Sequence, residues 1–190
     1  MRRAAHILAL AAALALAACA ALAPPPPASQ APFDIVGRVA VNSEGRSFSS
    51  NMRWQHAGGR GELWLLSPLG QTIAHIASDA DGATLTASDK QQYRAASVEA
   101  LTQQALGWEL PLSRLTWWVR GEPVPGAAPT RMERDERGRL VSLVQDGWQI
   151  AYTHYPPGEH GGSPRRLDLK SGAQDIRLLI DNWRELELAR

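Results

Sequence analysis

The chain has a single cysteine, Cys19, so no disulfide can form within it. Charge of one sign is also missing: 20 Lys and Arg stand against 19 Asp and Glu. The arginines are interleaved with acids, as in Arg131-Met-Glu-Arg-Asp-Glu-Arg137, a run that reads as a solvated loop. Counterion release onto a nucleic acid needs clustered cations, so nucleic acid is excluded as a partner. No Gly-x-Ser-x-Gly elbow offers a nucleophile, and no Gly-x-x-x-x-Gly-Lys-Ser/Thr loop offers a nucleotide site. His56, His75, His154 and His160 form no zinc-like pair. Asp79-Ala-Asp81-Gly82 begins like a calcium loop, but Lys90 stands where the twelfth position needs Glu. These absences argue against an enzyme, a metal site and a cofactor. No period of 20 to 50 residues repeats.

No apolar run is long enough to span a bilayer comfortably. Ile7 to Ala18 is short, rich in Ala and Leu, and preceded by Arg2 and Arg3, which is the pattern of a secretory signal peptide. It ends in Leu16-Ala17-Ala18-Cys19. These four residues resemble the bacterial lipobox, whose Cys becomes a lipid-modified N-terminus. The resemblance implies a signal peptide over residues 1–18, lipidation of Cys19 and, because Ala20 rather than Asp follows, export to the outer membrane. Several acyl chains on one Cys hold a protein firmly, since each buried methylene is worth about 0.8 kcal/mol. Without residues 1–18 the balance is 18 basic to 19 acidic, a net charge of −1. Pro24-Pro-Pro-Pro27 and the small residues around it cannot pack, so residues 19–32 read as the lipidated Cys and an extended tether. Residues 33–190 form one domain.

Within that domain, apolar residues alternate over Phe33 to Val41, and Phe48 to Gln55 makes a second strand after a turn at Asn42 to Arg46. Gly58-Gly59 separates it from the hairpin Glu62 to Ala77. Short strands follow at Thr84 to Ala87 and Gln91 to Ala95. Ser97 as N-cap, Glu99 in the first turn, Val98, Leu101, Ala105 and Leu106 on one face and Gly107 at C′ predict a helix. A shorter one follows, with Ser113 as its cap, Leu115, Trp118 and Val119 on its apolar side, and Gly121 as its stop. After a loop from Gly121 to Thr130, Leu140 to Val144 and Trp148 to Tyr155 flank Asp146-Gly147, a primed-turn signal. Arg166 to Leu169 and Ile176 to Trp183 are the last strands. About ten strands with two inserted helices predict an antiparallel sheet curled into a barrel or sandwich, with the helices capping an open side.

Two features remain. Ser67-Pro68-Leu69-Gly70 suits a type I turn, which leaves Leu69 at the tip of a hairpin between apolar strands. It either folds back onto its own core or reaches outward into something apolar. Seven tryptophans against two phenylalanines are spread over nearly every element. They either pack a core or line an apolar pocket for an alkyl chain.

An ordered set of segments resembles the LolB family of outer-membrane lipoprotein receptors. The matching pieces are Gly37-Arg38, Trp54-Gln55, Leu65-Leu-Ser-Pro-Leu-Gly70, Leu106-Gly-Trp-Glu-Leu-Pro-Leu112, Trp118-Val-Arg-Gly121, Gly147-Trp-Gln-Ile-Ala-Tyr152 and Asp181-Asn-Trp183. The resemblance implies a mainly β fold: an incomplete antiparallel β-barrel covered by short α-helices over an apolar cavity for acyl chains. It implies a monomeric receptor that takes lipoproteins from a LolA-like periplasmic carrier and inserts them into the outer membrane. Leu69, with Pro68, then forms the loop that delivers cargo, so the outward reading of Leu69 is preferred. Trp54, Leu65, Ile76, Leu101, Trp117, Trp118, Trp148 and Trp183 are the candidates for the cavity wall. A structural outer-membrane lipoprotein holding a protein partner in an envelope assembly is the second reading.

Overall fold

A computed structural model of the protein describes residues 31–156 and 162–186. The signal segment 1–18, Cys19 and the tether as far as Gln30 lie outside the described residues. The first six strands are β1 (Phe33–Ser43), β2 (Arg46–Ala57), β3 (Arg60–Leu66), β4 (Thr72–Asp79), β5 (Gly82–Ala87) and β6 (Gln92–Ala95). Helices α1 (Val98–Leu106) and α2 (Leu112–Trp118) follow, then β7 (Arg131–Arg134), β8 (Leu140–Gln145), β9 (Trp148–Thr153), β10 (Arg166–Ser171) and β11 (Gln174–Glu185).

All eleven strands form one antiparallel sheet in the order β6-β5-β4-β3-β2-β1-β11-β10-β9-β8-β7. The two halves of the chain join where β1 pairs with β11, Phe33 opposite Glu185 and Ser43 opposite Gln174. The order leaves β6 and β7 as free edges, and both helices lie in the connection between them. The sheet is therefore an incomplete barrel that does not close. Five adjacent strands, β4 to β11 through β1, would span about 19 Å if flat. Residues from all five nevertheless line one small cavity, so the sheet is curled. Alternation sets its two faces: Phe33, Ile35, Val39 and Val41 of β1 are buried on the concave side while Arg38, Ala40 and Asn42 are exposed. Hairpin turns fix the register. Glu44-Gly45, Gly58-Gly59 and Asp146-Gly147 all take positive φ at both residues, as a two-residue primed turn requires.

Three expectations are corrected. Residues 131–134 are not loop but the edge strand β7, exposed along its whole length. With neither face buried it has no hydrophobic period to read, and its charges are those of a protected sheet edge. The turn expected over Asn42 to Arg46 narrows to Glu44-Gly45, because both strands run on past the last apolar residue. Ser113 does not cap α2: the helix starts at Leu112 after Pro111 with no side-chain cap of its own. Instead Glu99 of α1 reaches across, and its Oε1 accepts from the Ser113 N–H at 3.0 Å and from the Ser113 hydroxyl at 2.6 Å. The first helix thus supplies the cap of the second. α1 is capped as its sequence predicts, with Ser97 Oγ accepting from Ala100 N–H at 3.2 Å and Gly107 left-handed at φ 80°.

Gln145, fully buried at the end of β8, ties the helical insertion to the sheet. Its Oε1 accepts from Trp118 Nε1 (3.0 Å) and Val124 N–H (2.9 Å), and its Nε2 donates to the carbonyls of Val124 (2.9 Å) and Ala127 (2.7 Å). Every polar atom of the amide has a partner, so its burial carries no desolvation penalty left unmet. On the convex face, Asp34 is buried beneath Arg53 of β2 and Arg184 of β11, at 2.7 and 2.8 Å. Hydrogen bonding from Arg53 holds its carboxyl below the usual carboxylate range, with a smaller contribution from Arg184, against the opposing effect of burial.

Gly37 sits at an irregularity in the β1–β11 ladder, where a Cβ would stand 2.0 Å from the Leu179 carbonyl oxygen. Only backbone can give way there. Gly37→Ala is expected to cost about 3 kcal/mol, the scale of overpacking against rigid structure. The urea midpoint of the Cys19→Ala protein measures it, and a loss under about 0.5 kcal/mol contradicts this reading of the join.

Candidate functional site

The concave face gathers apolar side chains from both the sheet and the helices. Met52, Trp54, Leu63 and Ile76 from β2, β3 and β4 meet Leu110, Leu112 and Leu115 from the helical side around an apolar cavity of ≈ 30 Å³. That volume is on the scale of one or two water-sized probes, so the cavity is nearly filled by its own lining. Next to it lies an open groove of ≈ 440 Å³, within the size range of small-molecule sites. Phe48, Leu65, Leu106 and Trp108 line both spaces and form the wall between them.

The groove opens at one particular end of the sheet. Leu65 is the last residue but one of β3 and Ile73-Ala74 follow Thr72 at the start of β4, so the groove is flanked by the turn at 67–71. In that turn Ser67 carbonyl accepts from Gly70 N–H at 2.9 Å, Gln71 carbonyl accepts from Ser67 N–H at 2.8 Å, and Ser67 Oγ accepts from Gln71 N–H at 3.1 Å. Leu69 does not take a positive φ, which excludes a type II turn. The residue is 89% exposed, the highest value among the exposed large hydrophobic residues described. Pro68 beside it is exposed as well. Three backbone and side-chain hydrogen bonds thus hold a leucine out in solvent on the rim of an apolar groove.

The eight wall candidates separate cleanly. Trp54, Leu65 and Ile76 line the cavity, and Leu65 also lines the groove. Leu101, Trp117, Trp118, Trp148 and Trp183 line neither. The face of α1 that meets the cavity carries Thr102 and Leu106, one turn apart, which leaves Leu101 fully buried outside it. Trp118 is drawn to Gln145 by its indole N–H and packs near Trp148, ring centroids 6.3 Å apart, in the core behind α2. Trp117 is half-buried on the same helix. Trp183 lies at the far end of the sheet beside Phe33, ring centroids 5.2 Å apart, and the Arg120 guanidinium stands over both rings, at 5.1 Å from Trp183 and 5.4 Å from Phe33.

Phe48, Leu106 and Trp108 are wall residues that lie outside the sequence-based candidates, Leu106 having been placed only on the apolar face of its helix. Phe48 stands at the sequence-level start of the second strand, and its partners are set by the β1–β2 register rather than by spacing. Trp108 follows the left-handed Gly107 in the link between helices, a position whose facing only the fold decides. Trp54 Nε1 is buried without a hydrogen-bond partner, as is Tyr152 Oη, whose pKa burial raises far above the ordinary phenol value. Among the described residues no group of three or more His, Cys, Asp or Glu is placed to hold a metal ion.

A curled, unclosed sheet with two helices laid over an apolar cavity, and an open apolar groove beside it, is an architecture suited to apolar chains. Residues 31–183 match the family model described as outer membrane lipoprotein LolB, and the chain belongs to that family. Three curated relatives carry the same description, outer-membrane lipoprotein LolB. The one from Nitrosomonas europaea is 44% identical over 154 residues, covering 80% of this chain and 72% of that protein. The Thiobacillus denitrificans protein is 39% identical over 165 residues, covering 84% and 87%, and that of Chromobacterium violaceum is 36% identical over 156 residues, covering 82% of each.

At the end of the sheet opposite Leu69, His56 stacks on Phe33 with ring centroids 5.5 Å apart. Burial lowers its pKa below the ordinary 6.5, and the positive charge of Arg120 lowers it further. The unfolded chain therefore takes up this proton at a higher pH than the native protein. Stability is expected to fall as pH drops below 6.5 and through the lowered native value. Denaturant midpoints across that window measure it. His56→Phe should flatten the fall relative to the parent protein, and an unchanged slope contradicts the assignment.

Proposed function

We propose that this protein is an outer-membrane-anchored receptor that accepts lipoproteins from a LolA-like periplasmic carrier, holds their acyl chains on the concave face, and inserts them into the outer membrane. Residues 1–18 are its signal peptide, Cys19 its lipid-modified N-terminus, residues 20–32 its tether, and the domain faces the periplasm. The observation that carries the proposal is the shared rim: Leu69, the most exposed large apolar residue among the described residues, is in the turn that flanks the apolar groove.

The physics needs no energy source within the protein. Each methylene moved from a poorer to a better apolar site gains up to about 0.8 kcal/mol, so small differences in fit over several chains set the direction of transfer. Cargo passes from carrier to groove and from groove to bilayer. Leu69 acts at the second step, since burying an exposed leucine gains about 1.5–3 kcal/mol and brings the groove mouth to the membrane surface. Binding itself falls to the wall formed by Phe48, Leu65, Leu106 and Trp108.

The anchor is compatible with this orientation. The tether joins the sheet at the end away from Leu69, where Arg120 donates to the Ala31 carbonyl at 2.7 Å and Leu186 N–H to the Pro32 carbonyl at 3.0 Å. Arg38 is opposite Asn51, and Asn51 opposite Leu66, so Leu66 lies five residues along β1 from Phe33, about 17 Å. The thirteen residues from Ala20 to Pro32 reach up to about 40 Å when extended as polyproline. That length suffices to bring Leu69 and the lipid on Cys19 to one membrane.

Two measurements test the proposal. The Cys19→Ala protein mixed with a carrier charged with lipoprotein should take the cargo over, and cargo that stays on the carrier removes the reading. Leu69→Glu should keep the parent's thermal midpoint and cargo uptake while deposition into liposomes falls at least about tenfold. Equal deposition by mutant and parent sinks the role given to Leu69.

A further inference from the structure

The groove carries one charged side chain. Its other lining residues are Val41, Phe48, Leu65, Ile73, Leu85, Trp108 and smaller or hydroxyl-bearing neighbours, with Arg46 alone bearing a charge. Among the described residues Arg46 enters no ion pair. Its place is nonetheless built. Arg46 opens β2 directly after the Glu44-Gly45 turn, and Asn51, five residues further on, is already opposite Leu66. Arg46 therefore stands further out along the sheet than the last residue of β3, on the outer rim of the groove. Its Nη2 rests against Gly107, so closely that a Cβ there would stand 2.7 Å away. Gly107 is the left-handed C-cap of α1, whose carbonyl end favours a cation. Glu109, two residues beyond, is already paired with Arg114 at 3.4 Å. The result is an apolar trough with an exposed guanidinium at its outer lip, resting against the C-terminal end of α1 and in no ion pair among the described residues.

Resting on the reading of this groove as the acyl entrance, we propose that it binds the acyl chain of a phospholipid, with Arg46 pairing the phosphate. The chemistry of the two ends is complementary: the trough accepts methylenes, and a guanidinium fork matches two phosphate oxygens. Because Arg46 and Leu69 belong to the same end of the sheet, a phospholipid of the receiving leaflet occupies the groove mouth when the protein meets the membrane. Incoming cargo and bilayer lipid then compete for one site, and lipid exchange at the mouth accompanies deposition.

The test uses two amphiphiles with the same chain and glycerol, 1-palmitoyl lysophosphatidic acid and monopalmitoylglycerol, titrated into the full chain carrying Cys19→Ala. The parent should bind the phosphate-bearing probe about tenfold more tightly, the scale of one charge-assisted contact. That preference should shrink as salt rises. Arg46→Leu should bind both probes alike at the parent's affinity for monopalmitoylglycerol, and Arg46→Lys should keep part of the preference. If Arg46 served only to steady the C-terminus of α1, Arg46→Leu would lower the thermal midpoint and leave the ratio between probes unchanged. Equal binding of both probes by the parent, a preference that survives Arg46→Leu, or no binding of either probe overturns the proposal. Transfer of cargo from a charged carrier, measured on the same preparations, separates that failure from failure of the receptor function itself.

Discussion

An antiparallel sheet that curls without closing leaves an apolar concave face that its own strands cannot cover, and the rest of the structure answers to that constraint. The uncovered side lies between the free edges β6 and β7, and the chain crosses that gap with α1 and α2. The two helices are short for independent stability, so they are held by the apolar surface they bury and by a few directed contacts. Glu99 fixes one helix to the other, and Gln145 fixes the second to β8. On the opposite side the β1–β11 pairing joins the halves of the chain, and the buried Asp34 beneath two arginines spans that join. The concavity therefore has one rigid wall and one cover made of short, separately secured pieces.

This division accounts for an inner cavity that is almost filled and an outer groove that is open. A protein that must release its ligand gains little from a deep, preformed pocket, because every methylene buried too well is a methylene to be withdrawn. The open groove offers a first apolar contact, and the wall of Phe48, Leu65, Leu106 and Trp108 separates it from the nearly filled inner cavity. The same end of the sheet carries Leu69 outward. On the proposed function, entry and delivery share one rim, while the residues that follow the tether lie at the other end of the sheet.

Much of this is legible in the sequence, for reasons that differ from residue to residue. Strands with one buried face announce themselves by alternation, as β1 does, and turns by the residues that tolerate positive φ, as Asp146-Gly147 does. β7 is silent because neither face is buried. The cap of α2 is hidden because its donor of order, Glu99, is fourteen residues away in the chain. Aromatic content marks a concave apolar site but not its wall: Trp118 is as apolar as Trp54, yet the hydrogen bond to Gln145 turns it away from the cavity. Leu69 is identifiable from a turn that puts a leucine where a polar residue is usual, whereas Arg46, at the same end of the sheet, gains meaning only when the fold sets it against Gly107.

In the proposed function, acyl chains enter between the helical cover and the concave wall. Lipoprotein bearing a photoreactive group at the end of an acyl chain, loaded from a carrier and irradiated before liposomes are added, tests it directly. Cross-links should map to Phe48, Leu65, Leu106 and Trp108. Cross-links confined to the convex face, where Trp64 of β3 stacks on its cross-strand partner His75 of β4 with ring centroids 5.0 Å apart, would contradict it.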